Sequence, residues 1–309
     1  MTGAVDALAT RLGPLAERDV DLGTFTTYGV GGRAALVVTV EAAEDLVALA
    51  EARRDVAPDL DVLVVGLGSN LLVADDGFDG VVVVLGDGLA DVEIDGTRVR
   101  AGGRAKLPVV ARRCAAAGLR GFEWAAGVPG SIGGAVRMNA GVPEAEIADH
   151  LRRVRVVDLS SGEDGVMAAV DLDLGYRRSS LREDQAVVWA ELELLPGDAE
   201  EGRALIKEKT QWRRDHQPGG RNAGSVFTNP PGDSAGRLIE AAGCKGLRIG
   251  TAEVSTKHAN FIQADDGGAA ADVWALMAEV RRRVHRHSGV LLHPETVMVG
   301  LAPFGEDEP

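Results

Sequence analysis

The sequence predicts a soluble α+β protein built as two domains. Apolar, β-branched runs alternate with segments of helical spacing, two glycine-rich loops stand at strand ends, and a polar break at Pro196–Glu201, reading PGDAEE, divides the chain. At 309 residues there is enough chain for two ordinary cores. Hydrophobic residues make up 45% and charged residues 26%, which excludes wholesale disorder. Aromatics are only 4%, so core volume comes mainly from Val, Leu and Ala. Lys and Arg total 33 against 47 Asp and Glu, a formal charge of −14. That balance argues against a nucleic-acid or anionic-membrane surface and requires any anion site to be locally basic. The N-terminal stretch MTGAVDALATRLGPLAERD lacks the apolar core of a signal peptide, and no run approaches membrane-spanning length. Cys114 and Cys244 form neither a disulfide framework nor a metal cluster, which points to a reducing, cytoplasmic setting.

In chain order, residues 1–24 read as a short helix and a connector. Gly29, Gly31 and Gly32 lead into a buried strand from Ala35 to Val40, Glu41–Arg54 has helical spacing, and Val62–Val65 returns as a strand. Further strands are expected at Val81–Leu85, Asp91–Ile94, Thr97–Ala101, Leu151–Asp158 and Ala186–Leu195, the last two returning to the same sheet. Lys106–Ala117 reads as a helix with Pro108 in its first turn, Gly118 as its cap, and Leu107, Val110, Ala111 and Cys114 on one face. Beyond the break, Gly202–Arg214 is helical, Ser234 caps a short helix ended by Gly243, Asn260–Gln263 is a strand, and Ala269–Ser288 is the last long helix. The basic run Arg281–His287 sits where cations favour a helix C-terminus, and no Cys or carboxylate shares the spacing of His285 and His287 to make a metal site.

The chemistry centres on Gly127–Gly141, reading GVPGSIGGAVRMNAG. Gly127, Gly130, Gly133, Gly134 and Gly141 with Pro129 let a backbone approach a ligand closely, and Ser131 and Asn139 supply polar side chains. Successive N–H groups turned inward would form an anion-binding concavity suited to a pyrophosphate; a tight structural turn is the plainer reading. Flanking Ile132, Ala135, Val136 and Met138 point to a buried loop. A second loop follows strand Val62–Val65: Gly66 and Gly68, then Ser69 and Asn70. Leu71 opens an extended segment where a nicotinamide fingerprint would require a third glycine and a helix. Either a phosphate cradle or a strand-end turn fits this loop alone; two such loops together favour a nucleotide site.

Three other places carry candidate chemistry. Asp173–Asp184, reading DLGYRRSSLRED, gathers Arg177, Arg178 and Arg182, with Arg155 at one remove. These are solvated loop arginines, or one of them holds a carboxylate or phosphate. Ser225 lies between Gly224 and Val226 in a turn, with no Gly-x-Ser-x-Gly elbow to make it a hydrolase nucleophile. Glu295 follows Pro294 in an otherwise apolar stretch, either an exposed loop glutamate or a working carboxylate.

Taken together, GLGSNLLV at 66–73, GVPGSIGGAVRMNAG at 127–141, GYRRS at 175–179, AGSVFTNPPGDSAGRLIEAAGCKGLRIG at 223–250, KHANF at 257–261 and HPE at 293–295 resemble the UDP-N-acetylenolpyruvoylglucosamine reductase family. The resemblance implies an FAD-binding fold of the vanillyl-alcohol-oxidase type plus a C-terminal α/β substrate domain. Its implied boundaries are an N-terminal helix and connector over 1–24, an FAD-binding region over 25–197, and a substrate-binding domain with a short tail over 198–309. It implies NADPH-dependent reduction of UDP-N-acetylglucosamine enolpyruvate in peptidoglycan precursor synthesis. It assigns Arg177, Ser225 and Glu295 as catalytic. FAD would be held by Gly66, Gly68, Ser69, Asn70, Leu71, Gly127, Pro129, Gly130, Ser131, Gly133, Gly134, Asn139 and Gly141, and the UDP-sugar by Asn229 and Lys257. Arg177 and Ser225 are separated by only 48 positions, which leaves little room for a tyrosine-bearing lid, as in the shorter subgroup. Val142, Pro143 and Glu144 follow the NAG triplet where relatives often have an aromatic and a glycine. Thr228 stands at an often basic position, leaving the phosphates to Asn229, His216 or Lys257. The alternatives are another FAD-dependent oxidoreductase of the same fold and a flavin-binding regulator without turnover.

Overall fold

A computed structural model describes residues 2–305. The chain forms two compact units. Of the described residues, one comprises 2–20, 35–67 and 79–212; the other comprises 21–34, 68–78 and 213–305.

In the first unit, α1 (Thr2–Leu12) and α2 (Ala43–Val56) cover a four-stranded sheet ordered Ala16–Asp21, Arg33–Val40, Phe78–Leu85, Val62–Val65. Val62–Val65 and Val81–Val84 pair in parallel. The continuous valine of Val81–Val84 is what a strand buried on both faces requires, and Val81, Val82 and Val83 are fully buried, while Val62–Val65 lies at the sheet edge and is only partly buried. The strand at Ala16–Asp21, within the expected connector, is mostly exposed and reads AERDVD. As an edge strand it has no apolar alternation for sequence reading to detect.

Leu151–Asp158 and Gln185–Glu193 do not join that sheet. They build a second, five-stranded antiparallel sheet ordered Asp164–Ala168, Leu151–Asp158, Gln185–Glu193, Arg98–Gly102, Val92–Asp95. The hairpin at Asp95–Arg98 turns on Gly96, whose φ is +58°. Helix α3 (Leu107–Ala116) buries Leu107, Val110, Ala111, Cys114 and Ala115 against this sheet's core, and Gly118 adopts φ +72° just past its end. Burial pushes the Cys114 thiol up to about 12, as expected of a packing residue.

The segment Gly127–Gly141 is not a loop throughout. Ile132–Arg137 forms a short helix, α4, with Ser131 Oγ accepting the Gly134 N–H at its start. The polar break is also shorter than expected. Helix α5 (Ala199–His216) begins inside it, with Asp198 Oδ1 accepting the N–H groups of Glu200 and Glu201.

The second sheet contains a buried carboxylate. Glu191, 5% exposed at its side chain, accepts from Arg153 Nε and Nη2 at 2.8 and 2.9 Å and from Arg100 Nη2 at 3.3 Å. The Arg153 hydrogen bond, against the cost of burial, holds its pKa below the ordinary carboxylate value. Because the folded pKa is depressed, the stabilisation is present above the unfolded value near 4.3 and is lost as pH falls through the folded value. Glu191→Gln is therefore expected to lower the denaturant midpoint at pH 7 and to flatten its fall below about pH 4.3, as read from urea unfolding across pH.

The second unit packs α6 (Ala235–Ala241) and α7 (Ala270–Ser288) against a three-stranded sheet, Arg248–Ile249, Ala252–Val254 and Ile262–Ala264. Val273, Met277, Val280 and Val284 line the buried face of α7, and Gly289 closes it at φ +72°. Arg282 and Arg283 pair with Glu279, while Arg281 is buried and donates to the Leu292 carbonyl at 2.9 Å. The basic run therefore serves the helix and the segment that follows it. Val297–Val299 pairs in parallel with Leu71–Val73.

Candidate active site

Within the first unit the two glycine-rich loops meet. A Cβ on Gly66 would lie 2.3 Å from Ser131 Oγ, so only glycine permits this approach. Arg104 Nη1 donates to the Gly66 carbonyl at 2.8 Å. The amides of α4's first turn are occupied: Ile132 donates to Ala105 O, Gly133 to Gly103 O, and Gly134 to Ser131 Oγ. That narrows the expected concavity of inward-turned amides. Among the described residues, the N–H groups of Gly66, Leu67, Gly130 and Ser131 donate to no acceptor, and these are the donors an anion can take. Gly133 has a packing reason as well, since a Cβ there would stand 3.1 Å from Gly103 O.

Asn139 is fully buried at φ +39° and spends its side chain on the fold. Its Nδ2 donates to Gly175 O at 3.0 Å and its Oδ1 accepts from Ala148 N at 3.2 Å. The loop is thereby tied to GYRRS. Arg177, at φ +56°, donates from Nη2 to Gly141 O at 3.0 Å and from Nη1 toward Asn139 O at 3.5 Å. A positive φ at a non-glycine residue marks stored strain of the kind found at functional sites. The other arginines of the cluster have carboxylate partners: Arg155 with Asp164, Arg178 with Asp173, and Arg182 with Asp158 and Asp184. Of the two readings of that cluster, the solvated-loop one fits these three, and Arg177 is the member directed at the glycine loop.

Within the second unit, a cleft of about 370 Å³ is lined by Ser225, Asn229, Arg237, Lys245, Lys257 and His258, with Ser234, Gly236, Glu240, Ala259 and Asn260. It brings together three residues singled out in the sequence, Ser225, Asn229 and Lys257, and adds cations that the sequence did not single out. Arg237 and Lys245 are held in place by Asp233 and Glu240, the Lys245 pair at 2.8 Å. The Arg237 hydrogen bond drives the Asp233 carboxyl down to about 2. With Lys257 added, three cations stand against these two carboxylates, a local excess of positive charge of the kind an anionic ligand needs in a chain of net charge −14. His258 Nδ1 accepts the Asn260 N–H at 3.2 Å, placing the proton of the neutral ring on Nε2. Burial, reinforced by Lys245, lowers its pKa and favours that neutral form. Among the described residues no group of three or more His, Cys, Asp or Glu converges to hold a metal.

Ser225 follows Gly224, whose φ is +76°, and its hydroxyl makes no hydrogen bond to any described residue. The turn is pinned from behind by Asn260, which is buried. Its Oδ1 accepts the Phe227 N–H at 3.0 Å, its Nδ2 donates to Phe227 O at 2.8 Å, and its carbonyl accepts from Val226 N. Asn260→Ala leaves two buried backbone groups unsatisfied and is expected to cost about 2–4 kcal/mol of stability, measured by the urea midpoint.

Glu295 is half-buried, and its backbone is fixed on both sides. Its N–H donates to Val226 O at 2.8 Å, beside Ser225, and its carbonyl accepts from Asn70 Nδ2 at 2.9 Å. Asn70 thus spends its side chain on Glu295. In this unit the N–H groups of Gly68, Ser69 and Asn70 donate to no described acceptor, and Gly68 adopts φ +59° with its carbonyl accepting from Thr27 N. Thr228 bonds His293 O through both N and Oγ1.

Comparison with known proteins gives the family. The family model for the UDP-N-acetylenolpyruvoylglucosamine reductase C-terminal domain matches residues 216–299, and one for an FAD binding domain matches 34–163. The UDP-N-acetylenolpyruvoylglucosamine reductase of Acidiphilium cryptum is 44% identical over 287 residues, covering 92% of this chain and 91% of that protein. The protein of the same name from Rubrobacter xylanophilus is 40% identical over 303 residues, covering 96% and 99%. The crystal structure of the Thermus caldophilus reductase superposes with a TM-score of 0.80 at 37% identity, covering 92% of this chain and 98% of that one. The expected fold holds: an FAD-binding domain of the vanillyl-alcohol-oxidase type with a C-terminal reductase domain. On sequence identity, coverage and fold together, this chain belongs to the UDP-N-acetylenolpyruvoylglucosamine reductase family.

Proposed function

We infer that this protein reduces UDP-N-acetylglucosamine enolpyruvate to UDP-N-acetylmuramate with NADPH, using FAD, and that it does so in the cytoplasm during peptidoglycan precursor synthesis. The observation that carries the reading is the cationic cleft around Ser225 in an acidic chain, within the segment matched by the reductase C-terminal domain. FAD, when bound, supplies the relay that moves a hydride from NADPH to the terminal alkene carbon of the substrate.

The residues present fit such a group: two glycine loops in contact, carrying amide donors that no described acceptor uses. Gly66, Gly68, Ser69, Asn70 and Leu71 would hold it, with Gly127, Pro129, Gly130, Ser131, Gly133, Gly134, Asn139 and Gly141. Residues 25–197 are assigned to this flavin-binding role and 198–309 to substrate, with residues 1–24 as helix and connector. No helix among the described residues is long and apolar enough to cross a membrane.

The chain's own residues then manage charge and protons. The substrate's nucleotide part is anionic, and Asn229, Lys257, Arg237 and Lys245 offer donors and positive charge for it. As the alkene is reduced, negative charge builds toward the substrate carboxylate, and Arg177 stabilises it. Glu295, with its backbone fixed by Val226 and Asn70, positions or polarises the substrate. The carbon next to the reduced one needs a proton, which the Ser225 hydroxyl donates; a serine is a weak acid, and neighbouring cations lower the cost of losing its proton. The test is NADPH consumption by the purified protein. It is expected only when UDP-N-acetylglucosamine enolpyruvate is present, with UDP-N-acetylmuramate as product; consumption indifferent to that sugar would remove the assignment.

A further inference from the structure

We propose that Arg104 is the cation that neutralises the diphosphate of the bound flavin nucleotide and so sets flavin affinity. This rests on the flavin reading above, and all of its observations lie within the first unit. Arg104 follows the strand Arg98–Gly102 and sits where the two glycine loops meet. Its Nη1 holds the Gly66 carbonyl at 2.8 Å, while its chain neighbours Gly103 and Ala105 accept the N–H groups of Gly133 and Ile132, each at 2.9 Å. The residue is thus fixed to both loops at once.

Its charge is uncompensated. In the same unit Arg98, Arg100, Arg153, Arg155 and Arg182 each have a carboxylate oxygen within 4 Å, and the half-buried Arg53 and Arg137, which have none among the described residues, each make three bonds to backbone carbonyls. Among the described residues Arg104 has no such carboxylate, although acidic side chains outnumber basic ones by 47 to 33 across the chain. Its Nε is buried and has no hydrogen-bond partner. A half-buried guanidinium with an unsatisfied donor and no counter-charge is costly, and a fold retains one where a ligand brings the anion. The surrounding donors point the same way. The amides of Gly66, Leu67, Gly130 and Ser131 are unspent, and neutral N–H groups alone leave the charge of a diphosphate uncancelled. Arg104 lies within the stretch matched by the FAD-binding model, residues 34–163.

A purely structural role, propping the Gly66 carbonyl, makes a different prediction. It leaves the salt dependence of FAD binding unchanged and is rescued by Arg104→Gln, which keeps a donor toward Gly66, whereas charge neutralisation is lost with any neutral replacement and acts only on flavins that carry phosphate. The experiment titrates flavin-stripped protein with FAD and with riboflavin, following flavin fluorescence at several salt concentrations. For Arg104→Met the FAD Kd is expected to rise about 10- to 100-fold and its salt dependence to flatten, with the riboflavin Kd unchanged. Arg104→Lys is expected to fall between. If the methionine variant does not fold, Arg104→Gln, which keeps a donor toward Gly66 without the charge, is read in the same way. Parallel weakening of FAD and riboflavin, or an unchanged FAD Kd, overturns the inference while leaving the flavin site intact. Wild-type protein that takes up no FAD overturns both.

Discussion

Ser225→Ala is expected to lower the rate of enolpyruvyl reduction about 10²–10⁴-fold, the range spanned by loss of a positioned proton donor. NADPH-dependent bleaching of the flavin should proceed as in the wild type, because that half-reaction needs no proton from the cleft. Substrate binding should also survive. Asn229, Arg237, Lys245 and Lys257 remain in the cleft, and the Ser225 hydroxyl makes no hydrogen bond to any described residue, so its removal breaks no bond that holds the turn. A fall in kcat with little change in KM is the signature of an interaction made only in the transition state. Rapid-mixing absorbance resolves the two half-reactions. Slowing of both together would assign Ser225 to structure and take it out of the proton path.

Gly68→Ala is expected to yield a protein that folds but retains little flavin. Gly68 adopts φ +59°, and a Cβ there would stand 1.9 Å from the Phe25 carbonyl oxygen and 2.8 Å from Thr26 Cα. Both are backbone atoms, so no rotamer change relieves the clash and the loop must move. A positive φ alone costs a non-glycine residue about 1–3 kcal/mol. Displacing the Gly68–Asn70 amides adds the loss of their donors to the ligand, and FAD affinity should fall at least about 10-fold, as a 1.4 kcal/mol change requires. Gly165→Ala is the matched control: nothing lies within 4 Å of its Cβ position and its φ is not positive, so the flavin absorbance of that variant should equal the wild type's.

What the sequence made legible is what depends on local periodicity. The apolar spacing of α3 and α7, the caps at Ser234 and Gly289, and the valine runs of the parallel strands all stand where the pattern puts them. Helix α4 was hidden because Gly133 and Gly134 oppose helix formation by about 1 kcal/mol each, and tertiary bonds to Gly103 and Ala105 outweigh that cost. The start of α5 was hidden because Glu200 and Glu201 look like linker residues, although acidic side chains suit a helix N-terminus. The division of strands between two sheets depends on long-range pairing, which no local pattern records.

The site divides along the same line. Ser225, Asn229 and Lys257 were marked by motif, and the cleft gathers them. Asn260, Arg237, Lys245 and Arg104 were not singled out, because their roles come from what they face. Asn260 is a polar residue in a strand-like run until its bonds to Phe227 are seen, and Arg104 is one arginine after two glycines until it is found without a carboxylate partner among the described residues. For Arg237 and Lys245, the signal available was basic residues inside an otherwise matching motif.

The most direct test of the central claim is an anaerobic absorbance titration of the purified protein, first with NADPH and then with UDP-N-acetylglucosamine enolpyruvate. The flavin band should bleach on the first addition and return on the second. A band that bleaches and stays bleached would keep the flavin and contradict the substrate.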